Sequence, residues 1–275
     1  MHLFKVSLLA FFLFVSCSES NAPMGTLEET TPRDGIVSMV GADGISGDRD
    51  FWVENMEDAI NATVKLSYQD AVGSGFVISV GRDITNTKTV YTVLSAAHVF
   101  ATNSLEATAP FITKNKRETV RATFYNNKDK TILTGKIKSL ETIADLAIIE
   151  IYGKEGTDVL CKSFWFERGD EYLKYMTDVA LIGYPQGVGP IVTTGHISGI
   201  SVLSWDNESF TTTAQSAPGS SGGPVVNLET GKVVGMLRAV LRMPSTGQLL
   251  TWTSIITPVA GIKDFYGGDL RDLYL

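Results

Sequence analysis

The sequence predicts an all-β fold, and three features carry that expectation. From residue 62 onward, about a dozen short runs rich in β-branched and aromatic residues alternate with turn signals. Strands at this spacing favour a sandwich or barrels over alternating βαβ units. The connections have Gly and Pro turn chemistry, as in Gly183-Tyr184-Pro185-Gln186-Gly187 and Gly219 to Pro224. No internal repeat with a period of about 20–50 residues is visible.

Taken in order, Phe51–Ile60 is amphipathic and reads as a short helix. Strands are expected over Ala62–Tyr68, Gly75–Val80 and Thr89–Ser95. The polar segment between Val80 and Val90 reads as an insertion. Thr119–Tyr125, Thr131–Ser139 and Leu146–Tyr152 follow, then a strand-poor stretch, Tyr152–Thr177. The second half gives Asp178–Ile182, Ile191–Val202, Ser209–Thr213, Gly223–Asn227, Lys232–Leu241 and Leu249–Ile255. Pro258–Phe265 reads as a closing helix, which the interior Gly261 weakens.

Residues 1–17 read as an export signal. Lys5 precedes Val6 to Val15, a run apolar except for Ser7 and too short to span a bilayer stably. It ends in Phe14-Val15-Ser16-Cys17, which resembles a bacterial lipoprotein signal with Cys17 as the lipidated residue; Phe14 stands where such signals usually have Leu. Ordinary cleavage near Ser18 or Ser20 is the alternative. Residues 18–50 are polar, with Pro and Gly and little periodicity. They read as a flexible tether with a root-mean-square reach of roughly 30 Å. Residues 51–275 then form the folded domain.

Composition narrows the function. The 275-residue chain carries a formal charge of −7, and its pI is about 5.0. This argues against a nucleic-acid binder, which needs a basic face. Two cysteines, Cys17 and Cys161, cannot build a disulfide framework. Three scattered histidines, His2, His98 and His196, offer no metal-ligand spacing. No metal or cofactor is expected.

Three segments carry chemistry together. In Leu94-Ser95-Ala96-Ala97-His98, a strand ends in small residues that leave an imidazole at its tip. Taken alone, such a histidine is more often structural. In Ala144-Asp145-Leu146-Ala147-Ile148-Ile149, an aspartate opens an apolar strand. A desolvated carboxylate there needs a partner, which an imidazole N–H supplies, although an exposed turn Asp fits equally. Ala217-Pro218-Gly219-Ser220-Ser221-Gly222-Gly223-Pro224 offers a serine among glycines. Glycines let backbone donors turn toward a developing oxyanion. The same segment satisfies the G-x-S-x-G elbow of α/β-hydrolases, whose histidine follows the serine. No histidine follows Ser221, so the order His98, Asp145, Ser221 selects the chymotrypsin-type arrangement.

The chain resembles trypsin-like (chymotrypsin-fold) serine endopeptidases, closest to the bacterial HtrA/Do branch, over about residues 60–260. Beyond the three segments, Gly73-Ser74-Gly75-Phe76-Val77-Ile78, Val179 to Pro185 and Val192 to Gly199 are similar to family blocks. The resemblance implies two perpendicular six-stranded antiparallel β-barrels with the active site between them and Tyr152–Thr177 as the crossing. It implies an acyl-enzyme mechanism in which His98, Asp145 and Ser221 are the triad and the Gly219 and Ser221 amides form the oxyanion hole. Gln215, six residues before the serine, corresponds to the base of the primary pocket, with Gly235 and Met236 on a later strand beside it. An uncharged base implies no strong preference for Lys or Arg. His196 falls in a segment the family uses as a second-barrel strand. The family's C-terminal PDZ domain is not expected before Leu275. The expected partners are protein or peptide substrates, with membrane contact only through a lipid on Cys17 and export from a bacterial cell. An inactive binding module on the same fold, or an esterase using the same triad, stays open.

Overall fold

The computed structural model describes residues 55–83, 87–101, 119–126, 129–154, 159, 161–167, 173–203, 207–243 and 245–266. The export signal, Cys17, the 18–50 tether and residues 51–54 lie outside them. A short helix, α1 (Met56–Asn61), opens the described chain. Its N-cap is Asn55, whose side chain accepts a hydrogen bond from the Asp58 N–H at 2.9 Å and satisfies one of the exposed first-turn donors.

Period-two patterning then takes over. In β1 (Thr63–Tyr68), Val64, Leu66 and Tyr68 are buried while Lys65 and Ser67 are only partly so. β2 (Ala71–Arg82), β3 (Thr89–Ser95), β4 (Thr119–Asn126), β5 (Asp129–Glu141) and β6 (Leu146–Tyr152) complete a first group. It closes as a barrel in the order β1-β2-β3-β6-β5-β4. β7 (Asp178–Gly183), β8 (Ile191–Leu203), β9 (Asn207–Thr212), β10 (Pro224–Asn227), β11 (Val233–Arg242) and β12 (Leu249–Pro258) form the second group. It closes in the order β10-β11-β12-β9-β8-β7. The helix α2 (Val259–Tyr266) follows and sets Val259 and Ile262 into the core. The architecture is the expected antiparallel double barrel of six strands each.

Closure requires bent strands. Register shifts interrupt β2 between Val77 and Ser79, β5 between Ile137 and Ser139, and β11 between Leu237 and Ala239. Bulges of this kind sharpen local twist and let a sheet curl onto itself. Runs longer than expected follow from the same pairing. β2 continues to Arg82 opposite Thr89, so both ends of the segment read as an insertion between Val80 and Val90 are paired strand, and residues 84–86 within it lie outside the described residues. Asp83 holds its ends together by accepting the N–H of Thr87 at 2.8 Å and of Lys88 at 3.1 Å.

The larger core is continuous across both barrels. It includes Phe76 and Leu94 from the first, Ile182, Val226 and Met236 from the second, and Phe164 and Phe166 from the crossing. The crossing chain is stitched to each barrel in turn. Phe164 N–H donates to Val77 O at 3.0 Å, and Val233 N–H donates to Trp165 O at 2.7 Å. Phe76 is fully buried and meets the ring of Phe164 edge-on at 5.5 Å and that of Phe166 at 6.1 Å. Phe76→Ala is expected to cost about 3–5 kcal/mol, measured by guanidinium chloride unfolding; a loss below about 1 kcal/mol would show that this contact does not bind the crossing to the first barrel.

Candidate active site

The site forms where the barrels meet, and its first part is built at the end of β3. Beyond Ser95 the chain enters a single 3-10 turn, Ala97–Val99. Ala96 and Ala97 are buried, and their small size brings the turn against the segment before β6. There the backbone of Asp145 adopts φ +58°, a left-handed conformation uncommon for non-glycine residues. The preceding turn is held by Glu141, whose carboxylate accepts the N–H of Ile143 at 2.8 Å and of Ala144 at 2.6 Å. Ala97 N–H donates to the Asp145 carbonyl at 3.2 Å.

Asp145 is buried, with 2% exposure. Its Oδ1 accepts the backbone N–H of His98 at 2.8 Å, and its Oδ2 lies 2.8 Å from His98 Nδ1. The imidazole is thus fixed at two points by one carboxylate. Burial disfavours the charged imidazole, but the charge of Asp145 and its hydrogen bond outweigh this, and the charge of Arg238 opposes them. The net result is a His98 pKa above the usual 6.5. The carboxylate engages Nδ1, which fixes the ring orientation.

The serine segment joins β9 to β10 in the second barrel and docks onto the first. Ser74 N–H in β2 donates to the Ser221 carbonyl at 2.8 Å. Ser74 Oγ donates to the Gly219 carbonyl at 2.8 Å and accepts the Tyr184 N–H at 2.9 Å. Lys65 Nζ donates to Gly187 O at 2.9 Å from β1. Two glycines let the loop pack this closely, Gly222 against the first barrel and Gly219 against the β7–β8 connection. Gly222 has φ +86°, and a Cβ there would collide with the Ser74 carbonyl and lie 2.8 Å from the Ala96 nitrogen. Gly219 has φ +97°, and its Cβ would lie 2.5 Å from the Tyr184 carbonyl oxygen. Ser221 is therefore carried on backbone packed against the residues immediately before His98.

The amides of this loop divide into two sets. Ser220 N–H donates to Ala217 O, Gly222 N–H to Leu237 O, and Gly223 N–H to Ser220 O, at 2.8–3.0 Å. Among the described residues, none accepts from the N–H of Gly219 or Ser221. These two donors flank Ser220 and can hold a negatively charged oxygen.

A cavity of about 280 Å³ lies on the other side of the loop, lined by Leu181, Ile191, Gln215, Ala217, Ser220 and Thr251 among others, none of them charged. Gln215 is the expected pocket residue found there. Gly235 and Met236 are not among its lining residues. Met236 is fully buried in the core, and Gly235 lies in register with Val225 and Pro258. Strand pairing thus spends both positions on barrel closure. His196 sits in β8 opposite Asp178, with its Nδ1 2.5 Å from Asp178 Oδ1 in a half-exposed pair. Cys161 is a free thiol whose burial pushes its pKa up to about 12, far from a reactive thiolate. Ser74, Glu141 and Arg238 were not among the expected site residues. For Arg238 a signal existed, since a guanidinium inside Val233-Val234-Gly235-Met236-Leu237-Arg238-Ala239-Val240 needs a partner.

A family model for the trypsin-like peptidase domain matches residues 73–236. Among curated proteins none matches the sequence. Of solved structures, Rv3671c from M. tuberculosis H37Rv, a serine-to-alanine mutant in its inactive form, is 18% identical with a TM-score of 0.54, covering 76% of this chain and 86% of that one. The inactive form of the Rv3671c protease in a second crystal structure is 20% identical with a TM-score of 0.51, covering 78% and 90%. At these identities the likeness is one of fold.

Ser74→Ala would leave the Tyr184 N–H and the Gly219 carbonyl without their partner. The expected cost is about 1–3 kcal/mol, read from urea denaturation. Unchanged stability would mean that the serine loop is held without this hydroxyl.

Proposed function

Since the chain belongs to the trypsin-like peptidase domain family, we propose that it is a serine endopeptidase that cleaves protein substrates through an acyl-enzyme. The observation that carries the reading is the His98–Asp145 pair, with both carboxylate oxygens committed to one residue, beside a Gly-Ser-Ser-Gly-Gly loop with two available amide donors. An inactive binding module has no use for this arrangement.

In this reading Ser221 Oγ attacks the scissile carbonyl and His98 Nε2 takes its proton. The Gly219 and Ser221 amides receive the oxyanion. His98 then protonates the leaving amine, activates water for deacylation, and returns the proton to Ser221. Asp145 holds the imidazole tautomer and stabilises the imidazolium. Each oxyanion donor supplies on the order of 3 kcal/mol of transition-state stabilisation. No step calls on a metal or a cofactor. The uncharged cavity beside Gln215 supports a preference for uncharged residues at the scissile bond. For the N-terminus we propose export and lipidation at Cys17, which the intact mass of membrane-fraction protein tests.

Ser221→Ala is expected to abolish casein hydrolysis by purified, folded protein, and retained turnover would overturn the assignment. Asp145→Asn is expected to lower kcat by about 10⁴-fold. Only neutral His98 can act as the base, and its pKa is raised. kcat/KM should therefore climb with pH through an apparent pKa above 6.5. A limb at or below that value would contradict the influence of Asp145. Cleavage profiling of a peptide library should show no dominance of Lys or Arg.

A further inference from the structure

The strand β11 belongs to the second barrel, yet one of its side chains acts on the first. Its pairing with β12 aligns Leu237 with Ile256 and Ala239 with Ile255, leaving Arg238 at the bulge between them. A bulged residue is re-aimed away from the regular alternation. The Arg238 side chain is only 14% exposed. Its Nη2 donates to the Ile143 carbonyl at 3.0 Å, and its Nε lies 3.8 Å from Asp145 Oδ2. One guanidinium thus touches both ends of the turn Ile143–Asp145, and the carboxylate oxygen it approaches is the one paired with His98 Nδ1.

The turn needs such support. Asp145 is held at a positive φ, and a residue kept in that region persists only when its surroundings over-determine it. Glu141 braces the turn from within the first barrel. Arg238 braces it from the second. A guanidinium suits the role because its planar fork can serve two acceptors at once, which a lysine ammonium on a flexible stem does not reproduce.

We propose that Arg238 is a positioning residue that holds the Asp145 turn in the alignment His98 requires, so that the catalytic pair is set correctly only when the two barrels are docked. The proposal rests on the serine-protease reading. It gives Arg238 two separable effects. Its hydrogen bond and shape set the geometry of the turn. Its charge, unlike that of Asp145, disfavours the imidazolium. Among the described residues, Asp145, from the turn before β6, and Arg238, from β11, are charged groups that act on His98.

The test uses the full chain with a chromogenic peptide substrate and compares wild type, Arg238→Met and Arg238→Lys. Arg238→Met keeps much of the side-chain volume but loses both charge and donors. Its kcat is expected to fall on the order of 10- to 100-fold, with the pH limb moving upward as the opposing charge is lost. Arg238→Lys should return the limb toward the wild-type position without restoring full kcat. Wild-type kcat and limb in Arg238→Met would overturn the proposal. So would a parallel fall in kcat in both variants with the limb unmoved, which is the mark of a merely structural role. Where Arg238→Met does not fold, Arg238→Gln takes its place: reduced kcat with the limb moved upward supports the proposal, and wild-type kcat or an unmoved limb defeats it. An inactive wild-type chain would instead defeat the underlying serine-protease reading.

Discussion

The buried carboxylate of Asp145 is the constraint on which the site depends. A carboxyl group buried at 2% exposure is costly to desolvate, and hydrogen-bond partners must offset that cost. The chain meets that requirement with the backbone N–H and Nδ1 of His98 and the nearby guanidinium of Arg238. The need is reciprocal, because the imidazole is oriented only by the carboxylate that it satisfies. Orientation, tautomer and basicity of His98 therefore follow from one burial decision made in the turn before β6.

The second half of the site is arranged by a different economy, that of close backbone approach. The loop around Ser221 lies against β2 and the end of β3 because Gly222 carries no side chain where the first barrel presents the Ser74 carbonyl and the Ala96 amide, while Gly219 lets the same loop pack on the backbone of the β7–β8 connection. Ser74 ties that approach to the floor of the loop and to Tyr184. The two barrels thus meet through hydrogen bonds at the site and through an aromatic cluster at Phe76, Phe164 and Phe166.

Much of this was legible in the sequence. Runs rich in β-branched and aromatic residues between Gly/Pro turns located every described strand, and β3 and β6 fall at their expected bounds, since both are flanked by sharp changes in residue type. His98 and Asp145 were readable because a small-residue strand end and a carboxylate before an apolar run each leave a group in need of a partner. Pairing, by contrast, is a long-range property. That Arg238 falls at a bulge depends on how β11 aligns with β12, and that Gly235 and Met236 serve the barrel wall depends on the same register. The role of Ser74 lies in a contact 145 positions away in sequence, which no local pattern encodes.

The central claim is that Ser221 is a nucleophile activated by His98 at the barrel junction. Covalent labelling of the intact chain by a fluorophosphonate, with the adduct mapped by peptide mass spectrometry, tests it most directly. The account predicts a single adduct on Ser221 that forms faster as pH rises through the His98 titration and is lost in His98→Ala. No adduct, or an adduct on another residue with Ser221 unmodified, would contradict it.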